Sequence, residues 1–352
     1  MKTMTRRSFT TVAAAAAASV ALPMPWVRAE AFDAPAKLKA GIVPYISSGP
    51  FMIAQAKGYF SKVNLEVEAE IFQDGGLAIP ALVGGALDVI VSTCNAGLFN
   101  TIAKGAAFKL FTDRGRETVG MGSQAMMVNN KLYEQGFTDV SGYKLMKGQK
   151  IGISVRGSIS QLLHTTALRK AGLEPEDCEW QWGVDTKSSA TLLAANQIGL
   201  ANVPIPLSHA VQAKGAGKIA AWSDEIAPDI QLACWAANES LLKDKTSVAV
   251  RFAMAHLQAV GEFVDAAKNG NPEIVKIIAE ATRLPPEVID GARPRWTGYA
   301  LDGLPNEASI LEQAQFWTDA GMVPRMLEAK EVVNTDIVKE AAQRLRDANP
   351  FI

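Results

Sequence analysis

The chain has 352 residues, of which 48% are hydrophobic, and its formal net charge is −1. This length and composition are enough for a large core or for two lobes. The near-zero net charge and the lack of a basic block argue against a nucleic-acid partner.

The first thirty or so residues have the pattern of an export signal. Arg6 and Arg7 precede an apolar run at 12–22, which is too short to span a bilayer, and prolines and the small residues of "VRAEA" follow it. We predict that residues 1–31 are a cleaved signal peptide of the twin-arginine type, which exports folded proteins, and that the mature protein is periplasmic. An ordinary secretory signal with two chance arginines is the alternative. No cysteine lies near the cleavage point, so a lipid anchor is not expected.

The rest of the chain alternates strand-like and helical segments. Strand patterns lie at 37–43, 65–72, 89–93, 108–113, 149–155, 178–184, 200–205 and 231–238. Helical patterns separate them, and the chain beyond residue 241 is predominantly helical. Asn64 precedes the second strand and suits the left-handed conformation of a tight connection.

This order predicts an α/β fold with two lobes, each a mostly parallel sheet flanked by helices. We expect residues 32–125 to form the first part of lobe 1 and residues 126–230 to form lobe 2. Residues 231–352 return to lobe 1 and add helices that wrap around the outside. Two hinge crossovers would then join the lobes, which can close around a ligand.

Polar loops follow the strands at the edge that faces the predicted cleft, where open α/β sheets bind their ligands. Unpaired N–H groups at helix beginnings attract anions there. Arg156 could add a positive charge in the loop that leads to the helix after Ser158. The predicted ligand contacts are Tyr45, Ser47, Ser48, Ser92, Thr93, Arg156, Gly157, Ser158, Ile159 and Asp185. The alternative is that Ser158 only caps its helix and Arg156 points to solvent.

Several other side chains have two interpretations. Asp185 could bind an amine or cap the next helix, and Arg114 and Arg116 could reach a ligand or form solvated salt bridges. Trp182 and Trp235 could stack on an organic ligand or pack in the core. If they stack, they favour an organic anion over a simple oxyanion.

Cysteines and histidines are few and scattered, three of each. An odd number of cysteines leaves at least one free thiol, and no cysteine–histidine cluster has the spacing of a metal site. No P-loop, nucleophile elbow or zinc-protease motif is present. We therefore predict no metal, no cofactor and no enzymatic activity.

Four stretches carry a family resemblance: "FMIAQAKGYFSKVNLEVE", "GGALDVIVST", "KGQKIGISVRGSISQLLHTTALRKAGLEPEDCEW" and "AANESLLKDKTSVAVRFAMAHLQAV". In this order they resemble periplasmic substrate-binding proteins of ABC importers, in the nitrate/sulfonate/taurine/bicarbonate group. The resemblance implies the type II periplasmic binding fold and ligand contacts at Ser47–Ser48, Ser92–Thr93 and Gly157–Ser158. One departure is Leu200–Ala201, where the family's second lobe usually has an aspartate.

The resemblance implies the ligand-binding component of an ABC importer, with an ABC permease and ATPase as partners. We expect a monomer that binds a small organic anion (a sulfonate or carboxylate) or an oxyanion. Two alternatives share the fold: an enzyme related to thiamine-pyrimidine synthesis, and a ligand-sensing adaptor for a receptor kinase. The cysteine-rich motif of the enzyme branch is missing from this sequence. Cys94 with a nearby histidine is the only nucleophile–base pair that the sequence suggests.

Overall fold

The computed structural model describes residues 34–72 and 74–352. The predicted twin-arginine signal at residues 1–31 lies outside this part of the chain and stays a prediction. The predicted lobe boundaries also stay a prediction, whereas the strand and helix assignments below are observed.

The described residues form alternating strands and helices, as the sequence predicts, and they include two strands, at 124–128 and 218–222, that the sequence patterns do not predict. The strands are β1 Ala36–Ile42, β2 Leu65–Ile71, β3 Val89–Thr93, β4 Phe108–Asp113, β5 Gln124–Val128, β6 Lys150–Ile153, β7 Glu179–Trp182, β8 Leu200–Pro204, β9 Lys218–Trp222 and β10 Ala233–Asn238. The helices are α1 Gly49–Ala56, α2 Tyr59–Lys62, α3 Ile79–Val83, α4 Ala96–Ala103, α5 Asn130–Glu134, α6 Ile159–Lys170, α7 Thr186–Ala194, α8 Leu207–Ala213, α9 Ser223–Ile226, α10 Glu239–Lys243, α11 Thr246–Asn269, α12 Pro272–Thr282, α13 Pro286–Gly291, α14 Glu307–Asp319, α15 Ala329–Val332 and α16 Asp336–Asp347.

Two five-stranded sheets organise the molecule, with strand orders β2-β1-β3-β10-β4 and β7-β6-β8-β5-β9. We call each sheet with its covering helices a lobe, so that β5–β9 belong to the second lobe. In each sheet four strands run in one direction and one is reversed: β10 in the first and β5 in the second. The predicted α/β fold with two sheets is confirmed, and both sheets are mixed.

The two crossovers between the lobes lie side by side. Arg116 pairs with Gln231 as an antiparallel bridge, and the Glu117 amide donates to the Ile230 carbonyl at 3.0 Å. The buried carboxylate of Glu117 accepts from the Ser123 amide at 2.5 Å. Backbone hydrogen bonds therefore join the two crossovers directly.

The C-terminal helices cover the first sheet. Helix α11 packs against α1 and α16, and its buried Arg251 donates to the Asn64 carbonyl at 2.9 Å. Asn64 has φ of 51°, in the left-handed region that the sequence predicts. Of the helices in the described part, none combines the length and the apolar character that a bilayer crossing requires.

Candidate functional site

A cavity of about 190 Å³ lies between the two lobes and is lined by residues of both. Its polar side chains are Tyr45, Ser47, Asp74, Thr93, Arg114 and Thr297 from the first lobe, and Ser123, Gln124, Ser154, Ser160, Thr186 and Asn202 from the second. Aliphatic side chains complete the wall, namely Val43, Ile46, Val91, Ile153, Ile159, Val184, Ile205 and Leu232.

The cavity lies where strands end, as the sequence analysis predicts. Tyr45 follows β1, Thr93 ends β3 and Arg114 follows β4, while Ser154 follows β6 in the second lobe. Parallel strands bring their carboxyl ends to one edge of a sheet, so these residues converge although they are far apart in sequence.

Arg114 is the main electrostatic feature of the cavity. It is only 3% exposed, and its Nη1 donates to the Ser47 hydroxyl at 2.9 Å while Nη2 donates to the Ser48 hydroxyl. Among the described residues no carboxylate lies within 4.0 Å of its guanidinium. Burial lowers the pKa of Arg114, but an arginine stays charged in proteins. The first lobe therefore presents a buried positive charge that has no ion-pair partner there.

Neighbouring groups hold Arg114 in place. The Ser48 hydroxyl donates to the Val43 carbonyl at 2.6 Å, which leaves its lone pairs to accept from the guanidinium. The Tyr299 hydroxyl donates to the Ser47 carbonyl, and the Arg114 amide donates to the Ala233 carbonyl at 3.1 Å. The guanidinium is thus oriented before any ligand arrives.

The structure brings some of the predicted first-lobe contacts to the cavity and not others. Tyr45, Ser47 and Thr93 line it. Ser48 is 2% exposed and lies behind Arg114 as its acceptor. Ser92 is fully buried, because side chains alternate along β3 and its neighbour Thr93 takes the cavity side. Ser48 and Ser92 therefore do not reach the cavity surface.

Most of the predicted second-lobe contacts around Gly157 also lie outside the cavity lining. Of Arg156 to Ile159, only Ile159 lines the cavity. The Gly157 amide donates to the Gln161 side chain at 2.8 Å, and the Ser158 hydroxyl accepts from the Gln161 amide at 3.4 Å. The Gly157 N–H is thus engaged by the Gln161 side chain, and Ser158 accepts as the N-cap of α6, as in the capping alternative.

Arg156 and Asp185 also lie away from the cavity lining. The exposed Arg156 guanidinium lies 4.3 Å from the centroid of the Trp182 ring, a cation–π contact at the surface. Asp185 caps α7 by accepting from the Ser188 amide at 2.7 Å. The expected positive charge of the site therefore comes from Arg114 in the first lobe, not from Arg156 in the second.

The alternatives left open for other side chains are decided by packing. Arg116, not Arg114, makes the ion pair, with its Nε 3.6 Å from the Asp113 carboxylate. Trp235 is 1% exposed in the first-lobe core, and neither it nor Trp182 lines the cavity. Tyr45 is the only aromatic residue among the described lining residues. The sequence argument from tryptophan for an organic ligand therefore loses its basis.

Sequence reasoning missed the polar side chains that the second lobe contributes, above all Asn202. Asn202 lies in the middle of β8 and Ser160 in the first turn of α6, and the Ser160 hydroxyl donates to Asn202 Oδ1 at 3.0 Å. The available signal was a polar residue inside the otherwise apolar strand "LANVP".

Neither a cysteine nor a histidine lines the cavity among the described residues. Cys94 is fully buried and does not line it. His164 hydrogen-bonds to the Tyr143 hydroxyl at 2.8 Å, and His256 to the Asp113 carbonyl at 3.0 Å. Burial lowers the pKa of His164 to about 3 and that of His256 to about 4. Both histidines therefore have structural partners.

Solved structures share this fold. The periplasmic nitrate-binding protein NrtA from Synechocystis PCC 6803 superposes with a TM-score of 0.75 at 17% identity, covering 90% of this chain and 91% of its own. The periplasmic aliphatic sulphonate-binding protein SsuA from Escherichia coli gives 0.67 at 16% identity, covering 86% and 93%. These likenesses confirm the predicted type II periplasmic binding fold.

Sequence relatives agree with this fold. A candidate binding protein of Brucella abortus (strain 2308) is 25% identical over 185 residues, or 52% of this chain. The match covers 53% of the relative, so the chain spans about half the length of this curated protein. Residues 33–279, most of the chain, match the NMT1-like family. The chain therefore belongs to the NMT1-like family.

Proposed function

We propose that this protein is the periplasmic solute-binding component of an ABC importer. It captures a small organic anion (a sulfonate or carboxylate) or an oxyanion between its lobes and delivers it to a membrane permease. The observation that carries the proposal is Arg114, a buried cation at the cavity wall without a carboxylate within 4.0 Å in the described chain.

The energetic reason is the cost of a buried, unpaired charge. Removing one partner of a buried ion pair typically costs about 3–5 kcal/mol. The Arg114 guanidinium hydrogen-bonds to two neutral hydroxyls, and its Nε has no hydrogen-bond partner in the described chain, so an anion in the cavity adds the opposite charge at close range. Binding and lobe closure then favour each other, because the anion is best compensated when both walls surround it.

The functions of the structural neighbours support this class of ligand. NrtA is described as a nitrate-binding protein and SsuA as an aliphatic sulphonate-binding protein, both periplasmic. A periplasmic location, export by the twin-arginine route, a monomeric state and an ABC permease and ATPase as partners belong to the same proposal.

The enzyme alternative has less support. It requires a nucleophile and a base that converge on the substrate. In the described chain Cys94 is buried off the cavity, and His164 and His256 are engaged elsewhere. We therefore propose a binding protein without catalytic activity. A sensory adaptor would use the same cavity, and an uptake assay in a deletion strain distinguishes it from a transport component.

The test is a thermal-shift screen of the mature protein, residues 32–352, against sodium nitrate, sulfonates and carboxylates, with sodium chloride as the ionic-strength control. A ligand at 100 times its dissociation constant stabilises the fold by about 2.7 kcal/mol. Arg114→Met should weaken the best anion by at least about 30-fold, or roughly 2 kcal/mol.

Arg156→Met is the matched control, because it removes the same charge from an exposed second-lobe site outside the cavity lining. It should leave the anion's dissociation constant within about threefold. Neutral or cationic ligands that stabilise the protein while all anions fail would contradict the proposal. Equal anion binding by wild type and Arg114→Met would also contradict it.

A further inference from the structure

The two walls of the cavity differ in charge. The charged lining side chains, Arg114 and Asp74, both belong to the first lobe. Among the described residues the polar side chains with which the second lobe lines the cavity are uncharged hydroxyls and amides. This difference matters because the two ends of a bound molecule would meet different chemistry as the lobes close.

The most developed element of the uncharged wall is the pair formed by Asn202 and Ser160. Ser160 Oγ donates to Asn202 Oδ1 at 3.0 Å, and Asn202 Nδ2 has a sulfur neighbour, Met126 Sδ, at 3.8 Å. A carboxamide has two N–H donors, and a thioether is a weak acceptor. An N–H of Asn202 can therefore still donate to a ligand, and the Ser160 hydroxyl oxygen can still accept from one.

Partial burial makes it unfavourable to leave the Asn202 N–H and the Ser160 hydroxyl oxygen without hydrogen-bond partners. Both residues are half-buried and line the cavity, and the surrounding second-lobe wall includes Val184, Ile159 and Pro204. A desolvated polar group without a full set of partners is unfavourable compared with an apolar side chain of the same shape. A ligand atom that both accepts and donates would satisfy the pair.

The size of the cavity leaves room for such an atom at a distance from the anion. A single water requires about 10–15 Å³ of this kind of volume. The cavity of about 190 Å³ is more than ten times larger. An oxyanion of a few atoms would leave most of it empty, whereas an anion with a short carbon chain can extend from one wall to the other.

We propose that the ligand is a small organic anion with an uncharged hydrogen-bonding group, such as a hydroxyl, at the end opposite its anion. The anion binds at Arg114, and the neutral group binds at the Asn202–Ser160 pair. This inference rests on the proposed function and adds the second recognition element. One molecule then bridges both lobes, and the second lobe selects among anions that Arg114 alone would accept.

The experiment compares matched anions that differ by one hydroxyl: propanoate with 3-hydroxypropanoate, and ethanesulfonate with 2-hydroxyethanesulfonate. Dissociation constants are measured by isothermal titration calorimetry on the mature protein. In at least one pair the hydroxylated member should bind about 10-fold or more tightly than its partner. Asn202→Leu, which keeps the side-chain volume, should reduce that ratio below threefold.

Two further variants locate the effect. Arg114→Met should weaken both members of a pair and leave their ratio unchanged, because it acts on the shared anion. Ser160→Ala should reduce the ratio in the same direction as Asn202→Leu. Ser208→Ala is the control, since Ser208 is a buried second-lobe hydroxyl that does not line the cavity, and it should leave both constants unchanged.

The outcomes separate the two claims. If wild type binds both members of each pair equally, the second recognition element is refuted while the anion receptor stands. The same conclusion follows if Asn202→Leu and Ser160→Ala keep the full ratio. If wild type binds none of the four anions and no other anion of the screen, the proposed function fails, and this inference falls with it.

Discussion

The carbonyl of Gly157 accepts a hydrogen bond from the Ala96 amide at 2.9 Å, and this contact joins the second lobe to the first. Ala96 begins α4, and Gly157 lies in the loop before α6. Gly157 has φ of 78°, and a Cβ at this position would lie 2.7 Å from the Ala96 Cβ. The described arrangement therefore brings the lobes together at a place that only glycine fits.

Gly157→Ala should oppose this interlobe contact. We expect the dissociation constant of a bound anion to rise about 10-fold, equivalent to roughly 1.4 kcal/mol, because the added methyl group clashes only when the lobes meet. Calorimetry measures the affinity, and small-angle scattering of the liganded protein should show a larger radius of gyration.

Gly172→Ala controls for backbone strain. Gly172 also has φ of 78°, but a Cβ there would meet nothing within 4 Å. Gly172→Ala should lower the free energy of unfolding about as much as Gly157→Ala does through backbone strain, but it should leave the ligand's dissociation constant unchanged. Equal effects of the two variants on affinity would show that the Gly157 contact has no role in closure.

Arg295 should stabilise the lobes against each other. Its Nη1 lies 3.1 Å from the nearly buried Asp224 carboxylate, and its guanidinium lies 4.5 Å from the Trp222 ring centroid. Arg295→Met should reduce the free energy of unfolding by about 1.5–3 kcal/mol, the usual contribution of a hydrogen bond to a charged group. Denaturant titration measures this loss.

A double-mutant cycle with Asp224→Asn tests whether the loss comes from this pair. Lys37→Met is the comparison, because Lys37 pairs with Glu66 at a largely exposed site and should show no measurable change. Additive effects of Arg295→Met and Asp224→Asn would refute the pairwise interaction.

His164 should make stability depend on pH. Its pKa falls to about 3 in the folded protein because burial disfavours the charged form, whereas an unfolded histidine has a pKa of about 6.5. Below pH 6.5 the unfolded chain binds a proton that the folded chain does not, so stability decreases as pH falls. At pH 5 this histidine should cost about 2 kcal/mol relative to pH 8.

His164→Gln cannot titrate in this range. Its loss of stability between pH 8 and pH 5, measured by urea unfolding, should be smaller than that of wild type by about the same 2 kcal/mol. His256 is retained in both proteins, so its contribution cancels in the comparison. Identical pH dependence in the two proteins would contradict the assignment.

The three thiols should be unreactive in the folded protein. Cys94 and Cys234 are fully buried, and Cys178 is 8% exposed with its pKa raised by burial to about 11. At pH 8 an Ellman assay should detect almost no thiol before denaturation and three per chain afterwards. Rapid native reaction of Cys94, slowed by an anionic ligand, would instead favour the enzyme alternative.

Much of the fold is readable from periodicity, because strands and helices bury different repeats of apolar residues. What periodicity does not give is strand direction. The reversed strands β5 and β10 look like their neighbours in sequence, and their direction depends on which strands they pair with after each crossover. Strands β5 and β9 are both absent from the predicted strand patterns, and β9 buries only two of its five residues.

The site is less readable, because it depends on which partner each polar group finds. Arg114 and Arg116 are equivalent in a sequence pattern. In the fold the Asp113 carboxylate lies next to Arg116 and accepts from the Ala300 amide at 2.7 Å, so Arg114 is left for the cavity. Likewise, the sequence around Gly157 predicts an anion-binding site, but in the fold the Gly157 N–H donates to the Gln161 side chain.

The position of β10 between β3 and β4 has a consequence for biosynthesis. The second sheet is built from residues 124–222, whereas the first needs residues 36–113 together with 233–238. On the ribosome the second sheet can therefore be completed first, while β3 and β4 keep open edges until residue 238 has emerged. We expect nascent chains that stop before β10 to aggregate through those edges.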